Sequence, residues 1–315
     1  MHVGDSPDNP KLPPAFGEKL LRLGLSPSAW EPLAADASVR RLFRLSSGRG
    51  QSAVLMLYPP EATASVSHHA AVFRWAARRG LPVPKLLAET AEGLLVEDLG
   101  SCGAREALAT DPEAGQVHVL SVLAAFQAYQ GPFTLNLPFD QDLFMRELQQ
   151  FLDYSGLRQP VAPAVLEFCR FLASELATHP YRLCHRDFHL DNLIATPNGF
   201  KAVDFQDLRL GPDTYDAASL LRERGGTTRF PADFLAKAAK LLGWEGNWQA
   251  RFTQCAAQRG LKALGTFLRL ASLGRSHYRT LIPEVAANAW QAVLALGGPT
   301  GLLAVLEKLS TGEGL

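Results

Sequence analysis

Two short polar runs stand out in this 315-residue chain: His185-Arg186-Asp187-Phe188-His189-Leu190-Asp191-Asn192, and then Val203-Asp204-Phe205-Gln206-Asp207. Between them, Pro197-Asn198-Gly199 contains an Asn-Gly pair, a strong signal of a tight β-hairpin turn. The spacing H-x-D-x-x-x-x-N predicts that Asp187 and Asn192 face one cleft. The hairpin predicts that Asp204 begins a second loop, beside the cleft that Asp187 and Asn192 face.

The residue types in these runs suit phosphoryl transfer, in which a protein mainly positions groups and neutralises charge. One carboxylate must meet the acceptor hydroxyl, and two oxygen ligands must hold the Mg²⁺ that bridges the nucleotide phosphates. We predict that Asp187 is that carboxylate and that Asn192 and Asp204 are the metal ligands. The alternative is a structural His185 surrounded by solvated carboxylates.

Composition and charge exclude several classes of partner. The chain has 31 Lys and Arg against 31 Asp and Glu, and 47% of its residues are hydrophobic, as in an ordinary globular protein. Zero net charge argues against a general nucleic-acid binder and against a polybasic membrane-surface protein. No apolar run approaches the roughly 18 residues of a membrane span. Four scattered cysteines and a polar start without signal-peptide features predict a cytoplasmic protein with free thiols.

The hydrophobic periodicity changes along the chain. Short apolar segments predict strands near 30–35, 41–45, 53–58, 83–88 and 93–97, interrupted by a helix over about 63–79. Helical patterns then dominate, at about 115–130, 140–155, 161–178 and from 214 onward, broken by the hairpin over 192–205. The sequence therefore predicts an α+β protein with a small β-rich lobe, residues 1–98, and a larger α-helical lobe, residues 99–315.

The motif His185-x-Asp187-x-His189-x-x-Asn192 resembles the catalytic loop of the aminoglycoside phosphotransferase and choline kinase superfamily. More narrowly, the chain resembles bacterial kinases that phosphorylate the anomeric hydroxyl of N-acetylmuramate and N-acetylglucosamine in cell-wall recycling. Four segments carry this resemblance: 36–44, 94–100, 204–221 and 258–269. It implies a two-lobed protein-kinase-like fold, ATP and Mg²⁺ as cofactors, and an amino sugar as substrate.

Roles of individual residues follow from the resemblance. It implies that Asp187 is the catalytic base, next to the two metal ligands already named. It implies that Glu97 and Leu99 lie in an interlobe hinge, where backbone groups bind the adenine edge. His185 is implied to fix the catalytic loop, and Asp216 to support that loop from a helix.

The small lobe departs from the usual kinase pattern. Most such kinases have a Lys on the third strand and a Glu on the following helix. Here that strand has Met56 near the expected Lys, and the helix has no Glu. Because both halves of the ion pair are missing, phosphate neutralisation is expected elsewhere. The candidates are three arginines on the preceding strand: Arg40, Arg41 and Arg44.

We predict that Arg41 binds the nucleotide, together with the backbone amides of Ala37 and Ser38. Alternation along the strand puts Arg40 and Arg44 on the face opposite Arg41. The sequence does not show which face looks into the cleft.

The acceptor is predicted from local charge. Residues 246 to 283 contain no Asp or Glu but six Lys and Arg. In the superfamily the C-terminal helices line the acceptor site, and a basic wall opposes cationic acceptors such as aminoglycosides or choline. We predict a neutral or anionic amino sugar, bound by Asp207, Gln258, Arg259 and Lys262.

Two alternatives stay open. The first is an aminoglycoside kinase or another small-molecule O-phosphotransferase. The second, motivated by Met56 and the absent Glu, is a pseudokinase that acts as a regulatory binding module. A protein kinase is disfavoured, because the chain has no D-F-G or A-P-E segment.

Overall fold

The computed structural model describes residues 14–25, 27–33, 40–48, 50–157, 161–222 and 230–313. The chain divides into two compact units. The first contains residues 1–101 and 195–206, and the second contains residues 102–194 and 207–315. The predicted domains, 1–98 and 99–315, differ from this division by three residues at the linker and by the hairpin.

The first unit is built on an antiparallel sheet of five strands: β1 (Pro27–Leu33), β2 (Arg41–Ser47), β3 (Ser52–Leu57), β4 (Leu86–Glu89) and β5 (Gly93–Glu97). Their spatial order is β1-β2-β3-β5-β4. Alternation along β2 buries Phe43 and Leu45, so the intervening Arg44 points to the other face. Phe16 and Leu20 of helix α1 (Pro14–Arg22) join the same core as Phe43 and Leu45.

Helix α2 (Ala64–Arg78) follows β3 and buries residues spaced by one helical turn, among them Val66, Ala70 and Phe73. It stops before Gly80, whose φ of 65° lies in the left-handed region that favours glycine.

The hairpin consists of β7 (Leu193–Thr196) and β8 (Gly199–Ala202), as predicted from the Asn-Gly turn. Two contacts explain why 195–206 groups with the first unit. The N–H of Ala202 donates to the backbone oxygen of Pro82 at 2.7 Å. Lys201 Nζ donates to Glu97 Oε2 at 2.8 Å.

The second unit is mostly helical. Its helices are α3 (Ala104–Thr110), α4 (Pro112–Gln127), α5 (Gln141–Tyr154), α6 (Pro163–Thr178), α7 (Tyr215–Arg222), α8 (Phe234–Leu242), α9 (Trp248–Ser272), α10 (Ile282–Ala295) and α11 (Thr300–Thr311). Two short strands, β6 (Tyr181–Cys184) and β9 (Arg209–Pro212), pair in antiparallel fashion and bracket the segment that contains Asp187. The sequence did not predict α3, β6 and β9, because four to seven residues are too short for a clear periodicity.

Helix α9 is 25 residues long and packs closely against its neighbours at two glycines. A Cβ on Gly265 would lie 2.6 Å from the backbone nitrogen of Phe151 in α5. A Cβ on Gly260 would lie 2.8 Å from the Cβ of Ala289 in α10. These close approaches bring α9 against α5 at Gly265 and against α10 at Gly260.

The predicted α+β class is confirmed by these elements. Among the helices of the described ranges, none combines the length and apolar character needed to cross a lipid bilayer.

Candidate active site

The loop that follows β6 is held by a buried carboxylate of α7. The backbone N–H groups of His185 and Arg186 donate to the two oxygens of Asp216, at 2.7 and 3.0 Å. Burial is the largest influence on Asp216 and raises its pKa. These two hydrogen bonds confirm that Asp216 supports the loop.

Arg186 has a left-handed backbone conformation, with a φ of 78°. This conformation is less stable by about 1–2 kcal/mol for a residue with a Cβ, whereas glycine adopts it freely. The guanidinium is anchored on both sides: Nη2 donates to Glu147 Oε1 at 2.6 Å, and Nη1 lies 3.2 Å from Asp207 Oδ2. Backbone and side-chain contacts together therefore hold the turn that precedes Asp187.

Asp187 faces two cations of α9. Its Oδ1 accepts hydrogen bonds from Lys262 Nζ at 3.1 Å and from Arg259 Nη1 at 3.2 Å. Burial acts to raise the pKa of Asp187, but the charges of Lys262 and Arg259 outweigh it and hold that pKa well below its usual value. Asp187 is therefore ionised at neutral pH and is able to accept a hydrogen bond from a hydroxyl group.

The three predicted acceptor residues of α9 differ in their access to solvent. Arg259 is 1% exposed and also donates to Ser219 Oγ at 2.9 Å. Gln258 is 0% exposed and donates to Glu147 Oε2 at 2.8 Å. The side chain of Lys262 is 19% exposed. Lys262 is thus the most accessible of the three, while Gln258 and Arg259 are placed to support the loop, and direct contact with an acceptor stays a prediction for each.

Glu147 of α5 connects the loop around Asp187 to α9, a role that the sequence did not predict. One of its oxygens accepts from Arg186 and the other from Gln258. The side chain is 9% exposed, so both hydrogen bonds are shielded from water. No motif surrounds Glu147 in the sequence, and its partners become visible only once α5 lies along α9.

Asn192 ends the loop and uses its side-chain nitrogen within it. Nδ2 donates to the backbone oxygen of Asp187 at 2.9 Å and lies 3.3 Å from Nε2 of His189. Over the described ranges, Oδ1 of Asn192 accepts no hydrogen bond, so this atom is available to a ligand. Arg105 of α3 donates to both oxygens of Asp191 and anchors the residue before Asn192.

Asp204 belongs to the first unit and follows β8. Its φ of 58° is left-handed, a conformation that Asp tolerates better than most residues. The next residue, Phe205, is buried and lies with its ring centre 4.6 Å from that of Phe73 in α2. Oδ1 of Asp204 accepts from Arg40 Nη2 at 2.7 Å, and the side chain is 49% exposed.

The predicted hinge segment also belongs to the first unit. The N–H of Glu97 donates to the backbone oxygen of Lys85 at 2.8 Å, so this donor is used by the sheet. The backbone of Leu99 makes no hydrogen bond within the described part of the chain and is therefore available for a ligand. Arg44 holds the residues on either side of Leu99, because its Nε donates to Asp98 Oδ2 at 2.8 Å and its Nη2 to the backbone oxygen of Gly100 at 2.9 Å.

The donor atoms predicted for magnesium suit that ion. Mg²⁺ prefers hard oxygen ligands and is usually bound through one or two carboxylates or amides plus substrate phosphates. Asn192 offers its Oδ1, and Asp204 offers a carboxylate that is half exposed. Each fits by chemistry within its own unit, and their joint binding of one ion stays a prediction.

The structure places the predicted residues in two groups. Six lie in the second unit: Asp187, Asn192, Asp207, Gln258, Arg259 and Lys262. Four lie in the first unit: Arg41, Glu97, Leu99 and Asp204. Ala37 and Ser38 lie outside the described residues. Asp207 is 62% exposed and its carboxylate pairs with Arg186, so a contact with sugar would add to an existing ion pair.

Comparison with known proteins identifies relatives over most of the chain. An N-acetylmuramate/N-acetylglucosamine kinase of Pseudomonas aeruginosa is 27% identical over 280 residues, 82% of each chain. A protein of the same name from Neisseria meningitidis is 29% identical over 276 residues, 80% of this chain and 81% of its own.

Solved structures show the same fold at lower identity. A choline/ethanolamine kinase family protein from Mesorhizobium loti has a TM-score of 0.61 and 17% identity, covering 90% of this chain and 93% of its own. An amicoumacin kinase in complex with AMP-PNP, Ca²⁺ and Ami has a TM-score of 0.61 and 16% identity, covering 94% of this chain and 93% of its own. The model of the phosphotransferase enzyme family matches residues 29–251. The loop built around Asp187 lies within that match, and the chain belongs to the phosphotransferase enzyme family.

Proposed function

We propose that this protein is an ATP-dependent kinase that phosphorylates the anomeric C1 hydroxyl of an amino sugar such as N-acetylmuramate or N-acetylglucosamine. The observation that carries the proposal is the carboxylate of Asp187 facing Lys262 and Arg259 on a helix without acidic residues. The names of relatives that are 27–29% identical support the same class of acceptor.

The charge around Asp187 favours a neutral or anionic acceptor. From residue 246 to 283 the chain has no Asp or Glu, and two of its cations in that range contact the carboxylate directly. A polycationic aminoglycoside would meet like charges on α9 and would find no carboxylate there to bind it. A sugar with a carboxylate on its lactyl ether would instead find a cation that is partly exposed, Lys262.

In the proposed reaction, Asp187 orients the acceptor and receives its proton. Because its pKa is held low, Asp187 is ionised and accepts a hydrogen bond from the C1 hydroxyl. As that hydroxyl oxygen forms its bond to the γ-phosphorus of ATP, the proton passes to the Asp187 carboxylate, and ADP leaves.

The nucleotide and the metal would be held by the remaining predicted residues. We propose Asn192 and Asp204 as ligands of Mg²⁺, which when bound supplies positive charge to the phosphates. We propose the backbone of Leu99 for the adenine edge, since its hydrogen-bonding groups are not used within the described part of the chain.

The test is a panel of hexosamines with ATP and Mg²⁺, followed by location of the phosphate on the product by ³¹P and ¹³C NMR. We expect ADP release with N-acetylmuramate or N-acetylglucosamine, and a product phosphorylated at C1. A phosphate on another carbon, or better turnover of an aminoglycoside, would contradict the proposal. ADP binding without turnover of any acceptor would favour the alternative of a regulatory binding module.

A further inference from the structure

The first unit lacks the usual lysine–glutamate pair of kinases, and its structure shows apolar packing in that place. Met56 of β3 is buried, with 8% of its surface exposed. Helix α2, which follows, contains no acidic residue among its fifteen. A kinase still needs a cation close to the phosphates, because charge neutralisation is a large part of phosphoryl transfer.

The three candidate arginines, Arg40 directly before β2 and Arg41 and Arg44 within it, differ in their contacts. Arg44 is engaged by Asp98 and by the backbone of Gly100. Arg41 is exposed and its guanidinium lies over the ring of Phe43, 5.1 Å from the ring centre. Arg40 contacts a predicted site residue, because its Nη2 donates to Asp204 Oδ1 at 2.7 Å.

Arg40 is supported from β3 and α2, the two elements in which the missing pair would lie. The hydroxyl oxygen of Tyr58, directly after β3, accepts a hydrogen bond from the guanidinium of Arg40. The same hydroxyl lies 2.7 Å from Nδ1 of His69 in α2. The side chain of Arg40 is 15% exposed, because it packs against the residues around it, among them Tyr58 and Asp204.

We infer that Arg40 binds the phosphates of the nucleotide in place of the missing lysine, and that Tyr58 positions it. The inference rests on the proposed function, in which Asp204 would hold the Mg²⁺ that supplies positive charge to those phosphates. A guanidinium offers the paired N–H donors that phosphate prefers, and that of Arg40 already contacts the carboxylate of Asp204.

The test compares binding of ADP and of adenosine by calorimetry, with Mg²⁺ and without any acceptor. Arg40→Met is expected to weaken ADP binding about 10- to 100-fold, the usual loss for a hydrogen bond to a charged group, while adenosine binding is unchanged. Arg78→Met is the matched control: it removes the same charge from an exposed position of α2 in the same unit. This control is expected to bind both ligands like the unmodified protein.

Two further variants keep the inference open to contradiction if Arg40→Met folds poorly. Arg40→Lys keeps the positive charge but loses the paired N–H donors of the guanidinium. It is expected to weaken ADP binding less than Arg40→Met does. Tyr58→Phe removes the supporting hydroxyl and is expected to weaken ADP but not adenosine.

The inference is overturned if ADP and adenosine weaken equally in the Arg40 variants, or if Arg41→Met weakens ADP while Arg40→Met does not. Unchanged ADP binding in Arg40→Met would leave the proposed kinase activity standing and remove only this role. If no hexosamine is turned over but Arg40→Met selectively loses ADP binding, the proposed kinase activity is contradicted and the role of Arg40 stands.

Discussion

At the scale of single residues, the site depends on how two opposing effects act on Asp187. Burial disfavours its charged form, and Lys262 with Arg259 favours it more strongly. The result is a carboxylate that is ionised before any substrate binds. Such a group is a weak base in the free protein, which suits a reaction in which the proton is transferred late, as the new oxygen–phosphorus bond forms.

Replacing Asp187 tests this role most directly. Asp187→Asn keeps the shape of the side chain but removes the proton acceptor, so kcat is expected to fall by about 10²–10⁴-fold. ADP release measured in a coupled assay gives kcat, and calorimetry checks that ADP still binds. Turnover within a factor of three of the unmodified protein would contradict the role.

Arg186 offers a second test at a single backbone position. Arg186→Ala and Arg186→Gly lose the same contacts with Glu147 and Asp207, but only alanine pays for the left-handed conformation. Arg186→Gly is therefore expected to be more stable than Arg186→Ala by about 1 kcal/mol. Urea unfolding of the two variants measures this difference, and equal stabilities would show that the turn relaxes in the variants.

At the scale of elements, the chain joins β2 to the segment after β5 through one guanidinium. Arg44 donates to Asp98 and to Gly100, which follow β5 directly. Asp98 is almost fully buried, with 5% of its side chain exposed, and burial alone would raise its pKa. The hydrogen bond from Arg44 helps to reverse that effect, so the pKa of Asp98 lies below its usual value.

This pair predicts how stability depends on pH. An acid whose pKa is lower in the folded protein adds stability above its unfolded pKa, near 3.9, and loses it as the pH falls through the folded pKa. Arg44→Met is expected to lower the free energy of unfolding by about 2 kcal/mol at pH 7. In Arg44→Met the free energy of unfolding is also expected to fall less steeply as the pH decreases below about 4.

Urea unfolding between pH 2.5 and 7 measures both quantities. Arg41→Met serves as the control for stability, because it removes an equal charge from an exposed position of the same strand. Parallel pH profiles for Arg44→Met and the unmodified protein would show that Asp98 does not depend on Arg44.

At the scale of the whole molecule, a net charge of zero conceals an uneven distribution. Carboxylates are concentrated in the loops around 187–216, whereas residues 246–283 carry cations only. A uniform surface with the same net charge would have no preference among sugars. The uneven distribution predicts a preference for acceptors without positive charge.

Lys262 is the position at which this preference is testable. Lys262→Met is expected to raise KM about tenfold for N-acetylmuramate, which is anionic, and less for N-acetylglucosamine, which is neutral. Initial rates with both sugars under identical conditions give the ratio of the two KM values. An equal change for both sugars would indicate that Lys262 acts only through Asp187.

Several features followed from the sequence because they depend on residues close together in the chain. The hairpin was predictable from Asn198-Gly199, since a two-residue turn needs only local chemistry. The loop with Asp187 and Asn192 was predictable because its spacing is short and characteristic. The departure at Met56 was also visible, since a single strand shows it.

Other features depended on the tertiary structure, because they join residues that are distant in the chain. Glu147 lies 39 positions from Arg186 and 111 from Gln258, and no local pattern connects the three. Arg40 and Asp204 are 164 positions apart. Sequence periodicity assigned the arginines of β2 to two faces but did not show which face met Asp204, because that contact forms only when the hairpin packs into the first unit. By itself, then, the sequence determined which groups of this protein we propose to react, and the tertiary structure decided which charges surround them, since only packing brings those charges together.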